Sequence, residues 1–180
     1  VTGDNYLIDS QRGGSEFLIS NTTSASATVD TYPVGNGTAF NSNGFSIGPG
    51  GAINGNTNAF ASWTFRKAEK FFDVVTWTGN ATAGRQIPHS LGSVPGFIIT
   101  KRTDGADNWK CYHVGNPSPA EDHVIELDNA NAAGNDSSFN DTAPTDTHFT
   151  VSGGGSVNGN GMTYVAYLFA SDAGGFGDDG

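Results

Sequence analysis

The sequence predicts an all-β fold, specifically a β-sandwich of the jelly-roll type with one complete unit and a partial repeat of it. Only 14% of the 180 residues are charged and 26 are glycine, a balance typical of strands joined by many turns. Short runs rich in β-branched and aromatic residues recur between Gly, Asn and Thr. No stretch keeps a 3.6-residue apolar period over three turns, so the pattern disfavours helices.

Five apolar runs are predicted to be strands because β-branched and aromatic residues dominate them. AFASWTF and MTYVAYLFA are apolar on both faces, which predicts central strands that are covered on both sides. In chain order the runs are AFASWTF at 59–65, FDVVTWTG at 72–79, GFIITKR at 96–102, HVIELD at 123–128 and MTYVAYLFA at 162–170.

Gly and Asn mark the predicted turns. The Asn-Gly pairs in AINGNT (52–57) and SVNGNG (156–161) predict hairpins, because both residues accept the positive φ of a two-residue hairpin turn. HSLGSVPG (89–96) is predicted to be a loop that ends where the next strand begins. The best helix candidate, FRKAEKFF (65–72), is short, and a linker turn is the alternative.

The chain repeats itself. Residues 45–65 match residues 149–169, so that Phe60 and Trp63 correspond to Tyr164 and Tyr167, and the match continues more loosely upstream. The predicted organisation is a partial repeat at 1–67, equivalent to the C-terminal part of a unit, a complete β-sandwich repeat at 68–172 and a flexible Gly/Asp tail at 173–180. Because half a unit cannot easily close a sandwich, we expect it to pack on the complete unit or on a neighbouring subunit.

Charge and cysteine content exclude several classes of function. The net charge is −10, which repels phosphate backbones and anionic lipid, so no nucleic-acid or membrane partner is expected. The single cysteine, Cys111, cannot form an intramolecular disulfide and is expected to be a small core residue. No apolar run is long enough to span a membrane as a helix.

No residue pattern predicts catalysis, a cofactor or a metal. The histidines at 89, 113, 123 and 148 match no compact zinc spacing, and the carboxylates between Glu121 and Asp146 show no pair of the glycosidase kind. The Gly-rich stretches lack the Lys-Ser/Thr of a phosphate loop, and no Ser elbow is present. Glycosylation sequons, relevant only in a glycosylating pathway, occur at Asn21, Asn36, Asn80, Asn135 and Asn140.

Tryptophan supplies the one binding hint. Trp77 and Trp109 lie on predicted strands of the complete unit, and Trp63 lies on the strand of the partial one. Aromatic rings on a sandwich face stack on sugars, which makes Trp77 and Trp109 candidate glycan contacts. The favoured alternative is that they pack in the core.

Two stretches of the complete unit resemble a repeated β domain of marine bacteriophage tail-fibre and other virion-associated proteins. They are VVTWTGNATAGRQIPHSLGSVPGFIITKRTDGADNWKCYHV and NDTAPTDTHFTVSGGGSVNGNGMTYVAYLFA, and the resemblance extends over nearly all of residues 4–172. It implies a structural or adhesive module of a virion or extracellular appendage, whose partners are further copies of itself and neighbouring subunits. The alternatives are a self-polymerising surface filament of non-phage origin and an adhesion module that binds cell-surface glycans. A glycan-cleaving enzyme is disfavoured, because no acid–base pair is visible.

Overall fold

The computed structural model describes residues 3–28, 38–49 and 51–171, so the predicted tail at 173–180 lies outside the described residues. The described chain is all-β, with antiparallel sheets arranged as a β-sandwich, which confirms the predicted fold class. No helix in the described ranges is long and apolar enough to cross a membrane.

The elements are short and strands dominate them. One helical turn, α1 (Gly51–Asn54), and two 3-10 turns, Ala120–Asp122 and Ser137–Phe139, interrupt the strands. The strand bounds are β1 Tyr6–Leu7, β2 Glu16–Ile19, β3 Ala27–Thr28, β4 Thr38–Asn41, β5 Gly44–Ile47, β6 Phe72–Thr78, β7 Arg85–Pro88, β8 Pro95–Arg102, β9 Lys110–His113, β10 His123–Glu126, β11 Gly134–Asn135, β12 His148–Val151 and β13 Thr163–Ala170.

A six-stranded antiparallel sheet forms the centre of the molecule, in the order β11-β10-β9-β8-β13-β6. The eight-residue β13 lies between β8 and β6, and its residues 164–168 are all buried. The prediction that MTYVAYLFA is a central covered strand is therefore confirmed. The runs at 72–79, 96–102 and 123–128 also form strands, as β6, β8 and β10.

The inner face of this sheet packs against the antiparallel pair β7–β12 and the loops around it. Even-numbered residues of β13 point into this core. The side chains that fill it include Trp77, Leu91, Ile98, Phe139, Phe149, Val151, Tyr164 and Leu168. This is the sandwich that alternation of apolar residues along the strands requires.

The outer face of the six-stranded sheet is covered by the N-terminal sheet, β1-β2-β3. Leu18 of β2 packs there with Trp109 and with odd-numbered residues of β13. Arg12 Nη2 donates to the Tyr167 hydroxyl at 3.1 Å, and that hydroxyl donates to Asp9 Oδ2 at 2.8 Å. Of the two expected placements for the N-terminal strands, the structure shows packing on the central sheet of the same chain.

Two sequence-based predictions differ from the structure, and a third stretch takes the alternative that the sequence left open. AFASWTF at 59–65 forms no strand and is exposed throughout, because no strand lies beside it among the described residues. SVNGNG connects β12 to β13, which belong to different sheets, and AINGNT contains the end of α1, so neither stretch closes a hairpin. FRKAEKFF is not a helix: a bridge between Ala68 and Phe72 closes a turn there, which matches the linker-turn alternative.

Candidate interaction surface

Trp77 of β6 is a core residue. Its ring is 8% exposed, stacks on Tyr164 with centroids 5.3 Å apart and meets Phe149 edge-on at 5.7 Å. Its Nε1–H donates to the Val157 carbonyl at 3.0 Å. Both the apolar and the polar parts of the indole therefore have partners inside the protein, and no ring face is left for a sugar.

Trp109 lies before β9 and is fully buried under the N-terminal sheet. Its Nε1–H donates to the Thr22 carbonyl at 3.0 Å, which ties residues 20–26 to the central sheet. The glycan-contact hypothesis for Trp77 and Trp109 is corrected accordingly, because a sugar would have to open the core to reach either ring. Their burial matches the core-packing alternative.

Cys111 is buried between β10 and β8, as expected for a small core residue. Burial raises the pKa of its thiol to about 12, so the nucleophilic thiolate is disfavoured. His89 and His148 meet at Thr145: His89 Nε2 lies 3.2 Å from the Thr145 carbonyl and His148 Nδ1 lies 3.1 Å from its hydroxyl. Burial lowers the pKa of His89. No group of three metal-ligating side chains occurs within residues 3–28, 38–49 and 51–171.

Two carboxylates, Glu126 and Asp136, share one lysine in an ion triad. Lys110 Nζ contacts Glu126 Oε1 at 2.6 Å and Asp136 Oδ2 at 3.0 Å. The hydrogen bond from Lys110 lowers the pKa of Glu126. Burial opposes the same shift at Asp136, but hydrogen bonds from Ser138 and Lys110 outweigh it and lower that pKa as well. A glycosidase acid needs a raised pKa, so this triad has the properties of a structural cluster.

Asn158 is a structural hub that sequence reasoning treated as a turn residue. Its side chain is fully buried and makes four hydrogen bonds. Oδ1 accepts from the Asn80 backbone N–H and from Arg85, while Nδ2 donates to Asn80 Oδ1 and the Thr82 carbonyl. Asn158 thereby ties the β12–β13 connection to the β6–β7 loop.

An open groove of about 490 Å³ lies where the N-terminal sheet meets the end of β6. Threonine hydroxyls dominate the β6 side, and the opposite side carries a guanidinium, an amide and a carboxylate. The Thr103 and Thr163 hydroxyls are 2.6 Å apart there. The residues around the groove are Gln11, Arg12, Glu16, Thr76, Trp77, Thr78, Thr103, Thr163 and Tyr164.

Exposed apolar side chains concentrate in one region, the apolar arm, which comprises residues 38–49 and 51–65. Nine large hydrophobic side chains of the described chain are exposed, and six of them belong to the arm. Trp63 is 86% exposed and is the most exposed of the nine. The six are Phe40, Phe45, Ile47, Phe60, Trp63 and Phe65. Sequence reasoning missed this surface because it assigned 59–65 to a covered strand.

The described sequon asparagines lie at or near the surface. Asn21, Asn80 and Asn135 are exposed and Asn140 is partly exposed, whereas Asn36 lies outside the described residues. Asn80 is also engaged with Asn158, because its backbone N–H and its Oδ1 both bond that side chain.

Comparison with known proteins gives a family and no activity. The model of a family described as Domain of unknown function (DUF7483) matches residues 1–178. No curated protein and no solved structure matches the chain.

Proposed function

We propose that the protein is a non-enzymatic structural subunit. The chain belongs to the DUF7483 family, which has no assigned function, so the proposal is argued from the structure and from the resemblance given above. The protein is a segment of an extracellular appendage, most simply a phage tail fibre, and it assembles with further copies of itself through β-strand edges. The observation that carries the proposal is the apolar arm, which holds six of the nine exposed large hydrophobic side chains.

The arm has the properties of a contact surface. Scattered exposed hydrophobic residues are normal on a soluble protein, but a concentrated set marks a place where another molecule binds. Tryptophan and phenylalanine are enriched at the centres of protein interfaces, and Trp63 has the most exposed side chain of the set. The two-stranded hairpin β4–β5 pairs with no other strand in the described chain, and an isolated hairpin is marginally stable in water. Contact with another copy would stabilise it.

The assignment to a tail fibre or other virion part depends on the resemblance of the IPHSLGSVPG, APTDTHFTV and VNGNGMTYVAYLFA motifs to the phage domain. A self-polymerising surface filament of non-phage origin would use the same arm. The two origins differ in where the protein is found, a virion or a cell surface, and not in the chemistry of assembly.

Light scattering coupled to size-exclusion chromatography tests the proposal, together with negative-stain microscopy. We expect the mass of the wild-type protein to rise with concentration and Trp63→Ser to suppress that rise. Val114→Ser is the matched control, since Val114 is 54% exposed but lies outside the arm. A wild-type protein that stays monomeric at every concentration, with no ordered particles, would overturn the proposal.

A second candidate function, glycan binding, is favoured by Trp63 and by the threonine-lined groove. An exposed indole gives a flat apolar face for a sugar ring, and the groove offers hydroxyl, amide and carboxylate partners for sugar hydroxyls. A glycan array tests it, with Trp63→Ala as the variant. Binding that survives this substitution unchanged would separate the glycan site from the arm.

A further inference from the structure

We propose that residues 59–64 of one copy, the donor segment, add as a strand to the free edge of β6 in a second copy. The inference rests on the proposed assembly function and names the strand and the edge that would carry it. Two features of the described chain lead to it: a strand-like segment without a strand partner there, and a sheet edge without a neighbouring strand there.

The donor segment is composed like a strand and is unpaired. Its sequence, AFASWT, contains no charge, no Gly and no Pro, which is typical of segments that pair readily. It corresponds in the repeat to residues 163–168 of β13, which are paired on both sides. None of its residues forms a backbone hydrogen bond with another described residue, and all six are exposed. Its backbone groups are therefore available to a second chain.

The free edge lies on β6, at one end of the six-stranded sheet. Ala170 N–H donates to the Phe71 carbonyl and Gly79 N–H donates to the Met162 carbonyl, so odd-numbered residues of this stretch bond to β13. Even-numbered residues then direct their N–H and C=O groups outward, because the two directions alternate along a strand.

Some outward groups of β6 already have partners, at both ends of the strand. Phe72 exchanges two backbone hydrogen bonds with Ala68, and the Val74 N–H donates to Asp73 Oδ1 at 2.8 Å. At the other end the Thr78 carbonyl accepts from Arg85. Four outward groups have no hydrogen-bond partner among the described residues: the Val74 carbonyl, the Thr76 N–H and carbonyl, and the Thr78 N–H. Four such groups accept one antiparallel strand of about five residues.

The donor segment of the same chain does not occupy this edge. Continuing the antiparallel bridge between Ala68 and Phe72 would place residue 65 opposite Val75, whose side chain packs on the inner face. The Phe65 ring instead packs on Phe72 at 5.5 Å and on Phe169 at 5.2 Å, both on the outer face. Phe65 thus holds the chain out of register with its own edge, which leaves the donor segment available to a second copy.

The groove supplies a place for a donor side chain. It adjoins the free edge, since Thr76 and Thr78 are among its residues. In strand addition the backbone bonds give affinity, and pockets for alternate side chains give register and specificity. Trp63, the largest side chain of the donor segment, is suited to fill the groove between Thr76 and the N-terminal sheet. Each copy carries one donor segment and one β6 edge, so addition is head-to-tail and produces either a ring or an open chain, according to the rotation between copies.

Two proline variants test the inference from both sides. Thr76→Pro removes an outward N–H and leaves the bonds to β13 intact, because proline is tolerated where the N–H of an edge strand faces solvent. Ala61→Pro blocks pairing of the donor segment, because a Trp63 side chain in the groove places the odd-numbered donor residues opposite the outward groups of β6. The segment has no strand partner among the described residues and is not needed for folding. We expect each substitution to weaken self-association by about tenfold or more. Thr76→Val keeps the N–H and removes only the hydroxyl, so it should weaken self-association less than Thr76→Pro does.

Mixing the two variants gives the sharpest result. Thr76→Pro keeps its donor segment and Ala61→Pro keeps its edge, so the mixture should form one-to-one dimers that grow no further. Wild-type assembly that both prolines leave unchanged would overturn this inference but leave the proposed function standing. A wild-type protein that never assembles would overturn both. A monomer whose donor-segment amides are protected from hydrogen exchange would show pairing within one chain, which contradicts the inference directly.

Discussion

The two copies of the repeat contain similar sequences in different surroundings. MTYVAYLFA becomes β13, paired with β6 on one side and with β8 on the other, and residues 164–168 are buried. The matching AFASWTF remains unpaired, and every one of its residues is exposed. The first copy has no equivalents of β6 and β8, and this absence accounts for the difference.

The comparison shows that strand neighbours, more than intrinsic propensity, decide whether this sequence is a strand. β-propensity measures how well a side chain fits a pleated, half-buried surface, so its effect depends on the surface being there. Upstream, where partners exist in both copies, the outcomes agree: β1–β2 and β9–β10 are both antiparallel pairs. The copies differ where the missing strands would lie.

The largest expected effect comes from truncating one matched aromatic pair. Tyr164 is 1% exposed and stacks on Trp77, and its hydroxyl accepts from Gly159 N–H at 2.8 Å and donates to the Gly155 carbonyl. Tyr164→Ala should lower the free energy of unfolding by about 3–5 kcal/mol. Phe60→Ala, at the corresponding exposed position, should change it by less than about 0.5 kcal/mol in the monomer. Urea unfolding at low protein concentration measures both, and equal effects would contradict the comparison.

The second-largest difference is expected between Asn158 and Asn54, which occupy matching positions in the two copies of the repeat. Asn158→Ala removes a fully buried side chain and its four hydrogen bonds to Asn80, Thr82 and Arg85, which should cost about 2–3 kcal/mol. Asn54, its counterpart, is exposed and donates only to the Gly48 carbonyl, so Asn54→Ala should cost less than about 1 kcal/mol. Thermal unfolding of the two variants ranks them, and a larger loss for Asn54→Ala would refute the assignment of Asn158 as the hub.

Parts of this contrast were predictable from sequence and parts were not. The runs that became β6, β8, β10 and β13 are recognisable because β-branched and aromatic residues dominate them. Whether Trp77 and Trp109 face water was not predictable, since alternation cannot reveal that the N-terminal sheet covers the outer face. The SVNGNG turn was misassigned because turn chemistry identifies a reversal of the chain but not which strands it joins.

Removing one hydroxyl should loosen the N-terminal sheet without unfolding the sandwich. The Tyr167 hydroxyl is the buried link to Asp9 and Arg12, and burial raises the pKa of Tyr167, so the hydroxyl keeps its proton at neutral pH. Tyr167→Phe should lower the free energy of unfolding by about 1.5 kcal/mol, the lower end of the range for a hydrogen bond to a charged group. Hydrogen exchange should speed up in β1 and β2 while β8 stays protected. Uniform acceleration across all sheets would show that the N-terminal sheet does not respond separately.

The last prediction is a pH dependence of stability at Lys101, which is buried under residues 20–26. Its Nζ donates to the Thr23 carbonyl at 3.1 Å and to the Arg102 carbonyl at 2.9 Å. Burial lowers the pKa of Lys101 to about 8 from its usual 10.5, with Asp107 and Asp128 opposing the shift. Between those two values the unfolded chain binds more protons than the folded one, so this residue makes the free energy of unfolding rise with pH.

Lys101→Met should remove that rise, and Thr23 would keep the Asp107 N–H as a partner for its carbonyl. Comparing the two proteins at each pH cancels the opposite contributions of Cys111 and Tyr167, whose pKa values burial raises. From about pH 7 to about pH 10 the melting temperature of the wild type, minus that of the variant, should increase. A constant difference between the two melting temperatures across that range would mean that Lys101 keeps its charge under the N-terminal sheet.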